Sequence, residues 1–216
     1  MRRKKRRRSK TLKAARSIFI TGASSGIGAA LARHYAAQAA ILGLAARRGE
    51  ALQSLAAGLG TVSHLYPLDV ADADALAAAG ADFIEQAGVP EIVIANAGVS
   101  VGTLTEESED LPAFRRVFAT NVLGMVHTFH PFVAAMKRQG RGRLVGIASV
   151  AGMRGLPGAG AYSASKAAAI AYLESLRVEL RGTGVKVVTL APGYIATPMT
   201  EKNPYPMPFL MPVEKA

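Results

Sequence analysis

Three side chains able to hold or move a proton lie within residues 149–166: the hydroxyl of Ser149, the phenol of Tyr162 and the ammonium of Lys166. Tyr162 and Lys166 are four apart at the start of an Ala-rich pattern (Ala164, Ala167, Ala168, Ala169, Ile170), a spacing that predicts one shared helix face. Ser149 follows the apolar run 144–148, which reads as a buried strand, and the glycines between let the chain turn back. A strand end, a loop and a helix start thus present three proton-handling groups together. The chain before them is expected to hold a dinucleotide against them, and the chain after them to close over a substrate.

The elements that must position this group begin at residues 17–20, a short apolar run that stops at Thr21-Gly22, with a helical pattern from Ile27 through Leu31, His34 and Tyr35. This is strand, glycine turn, helix. Gly22 permits a tight turn, Gly26 lets backbone approach a pyrophosphate and Gly28 allows close helix packing, with the helix N-terminus facing the anion. A second strand is expected at residues 40–45, ending in Ala46-Arg47-Arg48. Folds that bind NAD usually place an acid at this strand end to accept the adenosine ribose hydroxyls. Small Ala46 offers none, and Arg47 can meet a 2′-phosphate, so NADP(H) is favoured over NAD(H); the alternative is that Arg47 and Arg48 cap or solvate the next helix.

Residues 62–68 read as a third strand ending at Asp69-Val70, and residues 92–95 as a fourth ending at Asn96-Ala97-Gly98. Strand ends here line the ligand crevice of a parallel sheet. Asp69 can accept from the adenine amine or cap the following helix. Asn96 is expected to brace adjacent strands, and Gly98 to let backbone approach the cofactor. In the helical region of Leu111, Phe114, Val117, Val122, Met125 and Phe129, Asn121 stands three residues before Gly124, a site for a helix distortion that frees a carbonyl for bound water. A fifth strand precedes Ser149 and a sixth covers residues 185–190. Apolar strands alternating with helices predict an α/β domain with a parallel sheet and right-handed crossovers.

At 216 residues the chain suits one domain with a single substantial core. It holds no cysteine, which excludes disulfides, thiolate nucleophiles and Cys-based zinc sites. His34, His64, His127 and His130 lack metal-ligand spacing, so no metal site is expected. The formal charge of +11 is local: ten of the 26 Lys/Arg lie in residues 1–16 with no acid, leaving sixteen basic against fifteen acidic residues in the remainder. Residues 1–16 are expected to be a disordered basic tail able to touch polyanions weakly, and residues 17–216 one domain. No run of 18 or more apolar residues predicts a transmembrane helix, and the polar segment from Thr21 to Gly26 argues against a signal peptide. A cytoplasmic location is expected.

Taken in order over residues 17–199, these motifs resemble the short-chain dehydrogenase/reductase family, of the NADP-preferring type. The resemblance implies a Rossmann-like doubly wound parallel sheet with helices on both faces. It makes Gly22, Ser24, Ser25, Gly26, Ile27 and Gly28 the cofactor turn, and Asp69 and Val70 the adenine contact. Asn96, Ala97 and Gly98 become the strand-four motif, and Asn121, Ser149, Tyr162 and Lys166 the catalytic tetrad. Pro192, Gly193, Ile195 and Thr197 become the segment that holds the nicotinamide carboxamide. A homodimer or homotetramer, associating through the helices of Asn121 and Tyr162, is also implied.

The chemistry follows beside the resemblance. Reducing a carbonyl needs a hydride on carbon, which a nicotinamide supplies, and a proton on oxygen, which Tyr162 would supply. A free phenol has a pKa of about 10, and the Lys166 ammonium with the oxidised nicotinamide is expected to lower it. Ser149 would bond the substrate oxygen, Lys166 would hold the nicotinamide ribose, and Asn121 would position a water. The function so implied is hydride transfer between NADP(H) and a carbonyl/alcohol substrate. A second reading is a catalytically weak nucleotide-binding sensor or interaction protein; a third places function in the basic tail. Family members usually continue with a further helix and edge strand, whereas residues 203–212 are too rich in proline for a regular helix. The sheet is therefore expected to lack its last edge strand and the C-terminal part to be truncated, with reduced stability or association through that edge.

Overall fold

A computed structural model of the chain describes residues 16–38, 40–201, 203 and 205–216. The basic tail lies outside the described residues apart from Arg16. That residue is tied into the fold: its guanidinium pairs with Glu91 at 3.3 Å and donates to Gln38 at 3.0 Å, and its carbonyl accepts from the Ile41 N–H.

Six strands form one sheet: β1 (Ser17–Thr21), β2 (Ile41–Ala46), β3 (Ser63–Pro67), β4 (Ile92–Ala95), β5 (Gly142–Ile147) and β6 (Val185–Leu190). They run parallel in the order β3-β2-β1-β4-β5-β6. The chain works outward from β1 to β3 on one side, then returns to β4 on the other. The crevice at the C-terminal ends of β1 and β4 is thus the switch point where such sheets bind ligands. Side-chain alternation in β1 sends Ile18 and Ile20 to one face and Phe19 to the other, which requires helices on both.

On the Phe19 face lie α3 (Ala73–Ala87), α5 (Gly124–Gln139) and α6 (Gly160–Glu179). On the Ile18/Ile20 face lie α1 (Gly26–Ala36) and α2 (Gly49–Ala57). A short helix, α4 (Leu111–Phe118), runs into α5 through a π-helical turn, Ala119–Leu123, the distortion expected around Asn121. Asp72, not Asp69, caps α3, accepting from the Ala75 N–H at 2.9 Å.

After β6 the chain forms β7 (Ile195–Ala196), which pairs in parallel with β8 (Met211–Pro212), a small ladder the sequence reading did not include. Among the described residues β6 is therefore one edge of the main sheet. Its Leu190 carbonyl faces β5, accepting from the Ala148 N–H, so by alternation the Val187 carbonyl faces outward. Arg177 of α6 occupies that outward position, donating to the Val187 carbonyl at 3.2 Å and to Thr189 Oγ1 at 3.0 Å. A side chain that occupies edge carbonyls blunts the edge as a template for further strands.

Candidate active site

One cleft at the C-terminal ends of the strands collects nearly every residue singled out in the sequence. Its walls include Gly22, Ser24, Ser25, Gly26, Ile27, Arg47, Asp69, Val70, Asn96, Ala97 and Gly98 at one end. Ser149, Tyr162, Lys166, Pro192, Gly193, Ile195 and Thr197 complete it at the other. Gly28 and Asn121 stand behind the wall and act through what they support.

The glycine turn is built by backbone contact. Gly22 has φ of +66°, and a Cβ there would sit 2.7 Å from Ala97 Cα. Only glycine meets both demands. Asn96 locks the turn as expected of a brace: its Nδ2 donates to the carbonyls of Thr21 at 3.1 Å and Gly22 at 3.2 Å, and its N–H donates to Thr21 Oγ1. Gly28 lies against the Gly22 carbonyl and Asn96 Nδ2, leaving no room for a side chain. Ser25 occupies the N-cap of α1 without a side-chain hydrogen bond to the helix, so the first amides of α1 remain open to the cleft. A helix start with uncapped amides and close glycine backbone fits a diphosphate; this cradle is the observation by which the residues fit a dinucleotide.

Beyond the end of β2, Arg48 rather than Arg47 makes the visible contact: its Nη2 donates to Ser24 Oγ at 3.2 Å. Arg48 is also the N-cap residue of α2 but makes no side-chain cap bond, so capping is not what its guanidinium does. Asp69 Oδ1 accepts from the Ala71 N–H at 3.0 Å.

The proton-handling group comes from β5 and α6. Ser149 caps the short turn after β5, its Oγ accepting from the Ala151 N–H at 3.1 Å. Helix α6 starts without a cap of its own, and Thr103 substitutes from a distant loop, accepting from the Ala161 N–H at 3.2 Å. That start sets Tyr162 and, one turn on, Lys166 facing the cleft, with Lys166 Nζ 5.7 Å from the Tyr162 ring centre. Lys166 is 4% exposed and donates to the Ile147 carbonyl at 2.8 Å.

Asn121 sits inside the π-helical turn, 1% exposed. Its Oδ1 accepts from the Val99 N–H at 2.8 Å, and its Nδ2 donates to the Val99 carbonyl at 3.0 Å and Ser165 Oγ at 2.9 Å. Ser165 in turn donates to the Tyr162 carbonyl at 2.7 Å. The side chain is fully engaged in tying the end of β4 to α6.

The electrostatics differ from the sequence expectation. Burial pushes the Tyr162 phenol above its ordinary value, and the hydrogen bond with Ser149 pulls against that rise. Burial also brings Lys166 down to about 8, so the ammonium that was to acidify the phenol is itself held less firmly. Sequence reasoning also missed Thr120 and Thr200 on the cleft wall. Thr200 Oγ1 donates to the Ile195 carbonyl at 2.7 Å and accepts from the Thr197 N–H at 3.0 Å, shaping the last segment. A Thr in a Pro/Thr-rich loop carries no signal of this before the turn is seen. Among the described residues no group of three His, Cys, Asp or Glu is placed to hold a metal, and no helix is long and apolar enough to cross a membrane.

A parallel sheet with an open helix N-terminus at its switch point, facing a Ser-Tyr-Lys group, defines a dinucleotide-dependent oxidoreductase of the Rossmann type. The chain belongs to the short chain dehydrogenase family, whose model matches residues 16–206. An uncharacterized oxidoreductase of Myxococcus xanthus is 42% identical over 199 residues, covering 91% of this chain and 78% of that protein. A 2-dehydro-3-deoxy-L-rhamnonate dehydrogenase (NAD(+)) of Sphingomonas is 36% identical over 88% of this chain and 76% of its own length. The X-ray structure of an alcohol dehydrogenase from Thermococcus sibiricus complexed with 5-hydroxy-NADP superposes with a TM-score of 0.82 at 29% identity, covering 93% of this chain and 86% of that one. The chain is thus an NAD(P)-dependent oxidoreductase acting on alcohol or carbonyl groups.

Proposed function

We propose that this protein transfers a hydride between NADP(H) and a carbonyl/alcohol pair, with Tyr162 as general acid and base. The observation that carries the proposal is the convergence of Ser149, Tyr162 and Lys166 on the cleft that begins at the glycine turn. When bound, the nicotinamide would supply or take up the hydride at the substrate carbon. The open amides of α1, with Gly22 and Gly26, would hold its diphosphate.

The residues of the chain manage the oxygen. Ser149 Oγ donates to the substrate oxygen and holds it beside the phenol. Tyr162 gives its proton to that oxygen as the C=O becomes C–OH, and takes one back in the reverse direction. The raised Tyr162 suits the reducing direction, because the phenol arrives protonated. Lys166 lies under the ring and offers its ammonium to ribose hydroxyls and to the phenolate left after donation. Asn121, through Val99 and Ser165, keeps β4 and α6 at a fixed spacing, and its carbonyl is the position for a water that restores the proton.

The preference for NADP(H) rests on Ala46, which brings no carboxylate to the ribose, and on the two exposed guanidinium groups of Arg47 and Arg48 beside Ser24. One named relative is an NAD(+) dehydrogenase and one similar structure is complexed with 5-hydroxy-NADP, so a direct comparison of NADPH and NADH affinity decides it. Exposed Phe118 and Leu123, on α4 and the π-helical turn, support self-association as a homodimer or homotetramer, which light scattering tests.

The decisive experiment is a ketone, aldehyde and alcohol panel run on the parent and on Tyr162→Phe. The variant should keep its affinity for NADPH while kcat drops on the order of 10² to 10⁴-fold. Unchanged turnover in Tyr162→Phe would remove the tyrosine from the mechanism, and no turnover of any panel member by the parent would count against the reaction itself.

A further inference from the structure

His127 had no role in the sequence, yet it is the one histidine whose ring reaches the back of the cleft. It lies half-buried near the start of α5, and its Nδ1 is 3.0 Å from the carbonyl of Val70, 57 residues earlier. A carbonyl only accepts, so the hydrogen resides on Nδ1 and the ring donates. The same peptide unit is tied at its other end, where the Ala71 N–H donates to Asp69 Oδ1 at 3.0 Å. The Val70–Ala71 peptide is therefore clamped on both sides, by a helix from behind and by the Asp69 carboxylate in front.

The neighbourhood reinforces the clamp. Val70 is 5% exposed and presses on Gly124, where an added Cβ would lie 3.1 Å from Val70 Cβ. Thr128 Oγ1 donates to the Gly124 carbonyl at 2.6 Å, fixing that turn of α5. Upstream, the Leu68 N–H donates to the Ala46 carbonyl at 3.1 Å, so the segment is anchored to β2 as well. Asp69 and Val70 both line the cleft, and two of their groups have no protein partner among the described residues: the second oxygen of Asp69 and the N–H of Val70. An acceptor beside a donor is complementary to the amino group and ring nitrogen on one edge of adenine.

We propose that His127 is a positioning residue for the adenine end of the cleft, holding the Val70 carbonyl so that Asp69 and the Val70 N–H present a fixed acceptor–donor pair. This rests on the reading of Asp69 and Val70 as the adenine wall, and it assigns His127 no contact with cofactor or substrate. Loss of the donor frees the peptide to rotate, and the pair must then be ordered at the moment of binding. The penalty falls on the adenosine half of the cofactor and spares the nicotinamide half.

The test uses the full chain with His127→Ala, His127→Phe and His127→Asn, titrated with NADPH by fluorescence and with adenosine 2′,5′-bisphosphate by calorimetry. His127→Ala and His127→Phe, the latter filling the space without a donor, are expected to weaken both ligands by the same factor, about three- to tenfold for one lost hydrogen bond. His127→Asn, which retains an N–H, should recover part of the loss. KM for NADPH should rise while kcat at saturating NADPH stays near that of the parent. Affinity within twofold of the parent in His127→Phe overturns the proposal, as does weaker NADPH binding without matching weakening of the bisphosphate. If the parent binds neither ligand, the adenine wall itself is misread and the proposal falls with it.

Discussion

Helices α3, α5 and α6 cover one face of the sheet with interlocking aromatic side chains, whereas α1 and α2 cover the other with alanine and leucine and leave part of it open. On the first face Phe19, Phe83 and Phe132 are fully buried, with ring centres 5.4 and 4.9 Å from Phe19. On the second, Ala29, Ala32 and Ala36 let α1 lie close to the strands, and the surface over β5 and β6 ends in Leu190, 45% exposed. The division of packing matches a division of labour. The tightly filled face delivers the side chains that handle the proton, on α6 and beside α5, where a small displacement would misplace a transferred atom. The alanine-rich face delivers backbone, because a diphosphate is held by amides and needs the helix to start close to the sheet.

The largest effect expected from this contrast is at Phe132, 0% exposed and packed against Phe19 with the ring planes tilted by 49°. Phe132→Ala should cost about 3–5 kcal/mol in urea unfolding, with a cavity left under α5. Catalysis should suffer with it, since α5 also carries the continuation of the Asn121 turn. A cost below about 1 kcal/mol would mean this face is not the rigid one.

Most of that architecture was legible in the sequence because strands and cofactor turns have strong local patterns. The positions of β4 and β6, the glycine turn, the Asn121 distortion and the grouping of Ser149, Tyr162 and Lys166 followed from apolar runs and spacing, whereas joining Asn121 to those three rested on the family resemblance. Contacts between loops far apart in the chain were not legible. Arg48 reaching Ser24, Thr103 capping α6 and His127 holding Val70 join residues 24 to 58 positions apart, and no period links them. The Tyr162 shift was missed for a different reason: spacing shows which charge is near, but the competing desolvation depends on how completely α6 is buried.

Lys166 tests the contrast from within the site. Its folded-state value of about 8 lies below the ordinary 10.5, because burial disfavours the ammonium. A depressed value contributes stability that is present above pH 10.5 and lost as pH falls through about 8, so at pH 7 the folded protein carries a penalty on the order of 3 kcal/mol. Lys166→Met removes the penalty but also the hydrogen bond to the Ile147 carbonyl, worth about 1 kcal/mol. The variant should be more stable than the parent at pH 7 by about 2 kcal/mol, lose that advantage as pH rises from about 8 to 10.5, and have little activity. In the parent, kcat/KM for carbonyl reduction should decline above about pH 8 as the ammonium is lost. A destabilised Lys166→Met at pH 7 would show that burial is not what governs this lysine.

The smallest effect is expected on the open face. Leu190 lies at the end of β6 with Val188, Leu31 and Tyr35 around it, and nearly half of its surface is exposed. Leu190→Ala should change stability by no more than about 0.5 kcal/mol, as for an ordinary surface position. The adjacent edge is already occupied at Val187 by Arg177, so the main incentive for strands to add there is weakened. Unfolding at two protein concentrations a hundredfold apart separates the possibilities. A small, concentration-independent effect keeps the two faces distinct. A cost above about 2 kcal/mol that grows with protein concentration would mean that a second copy covers Leu190 in solution, and the difference between the faces would then belong to the isolated chain alone.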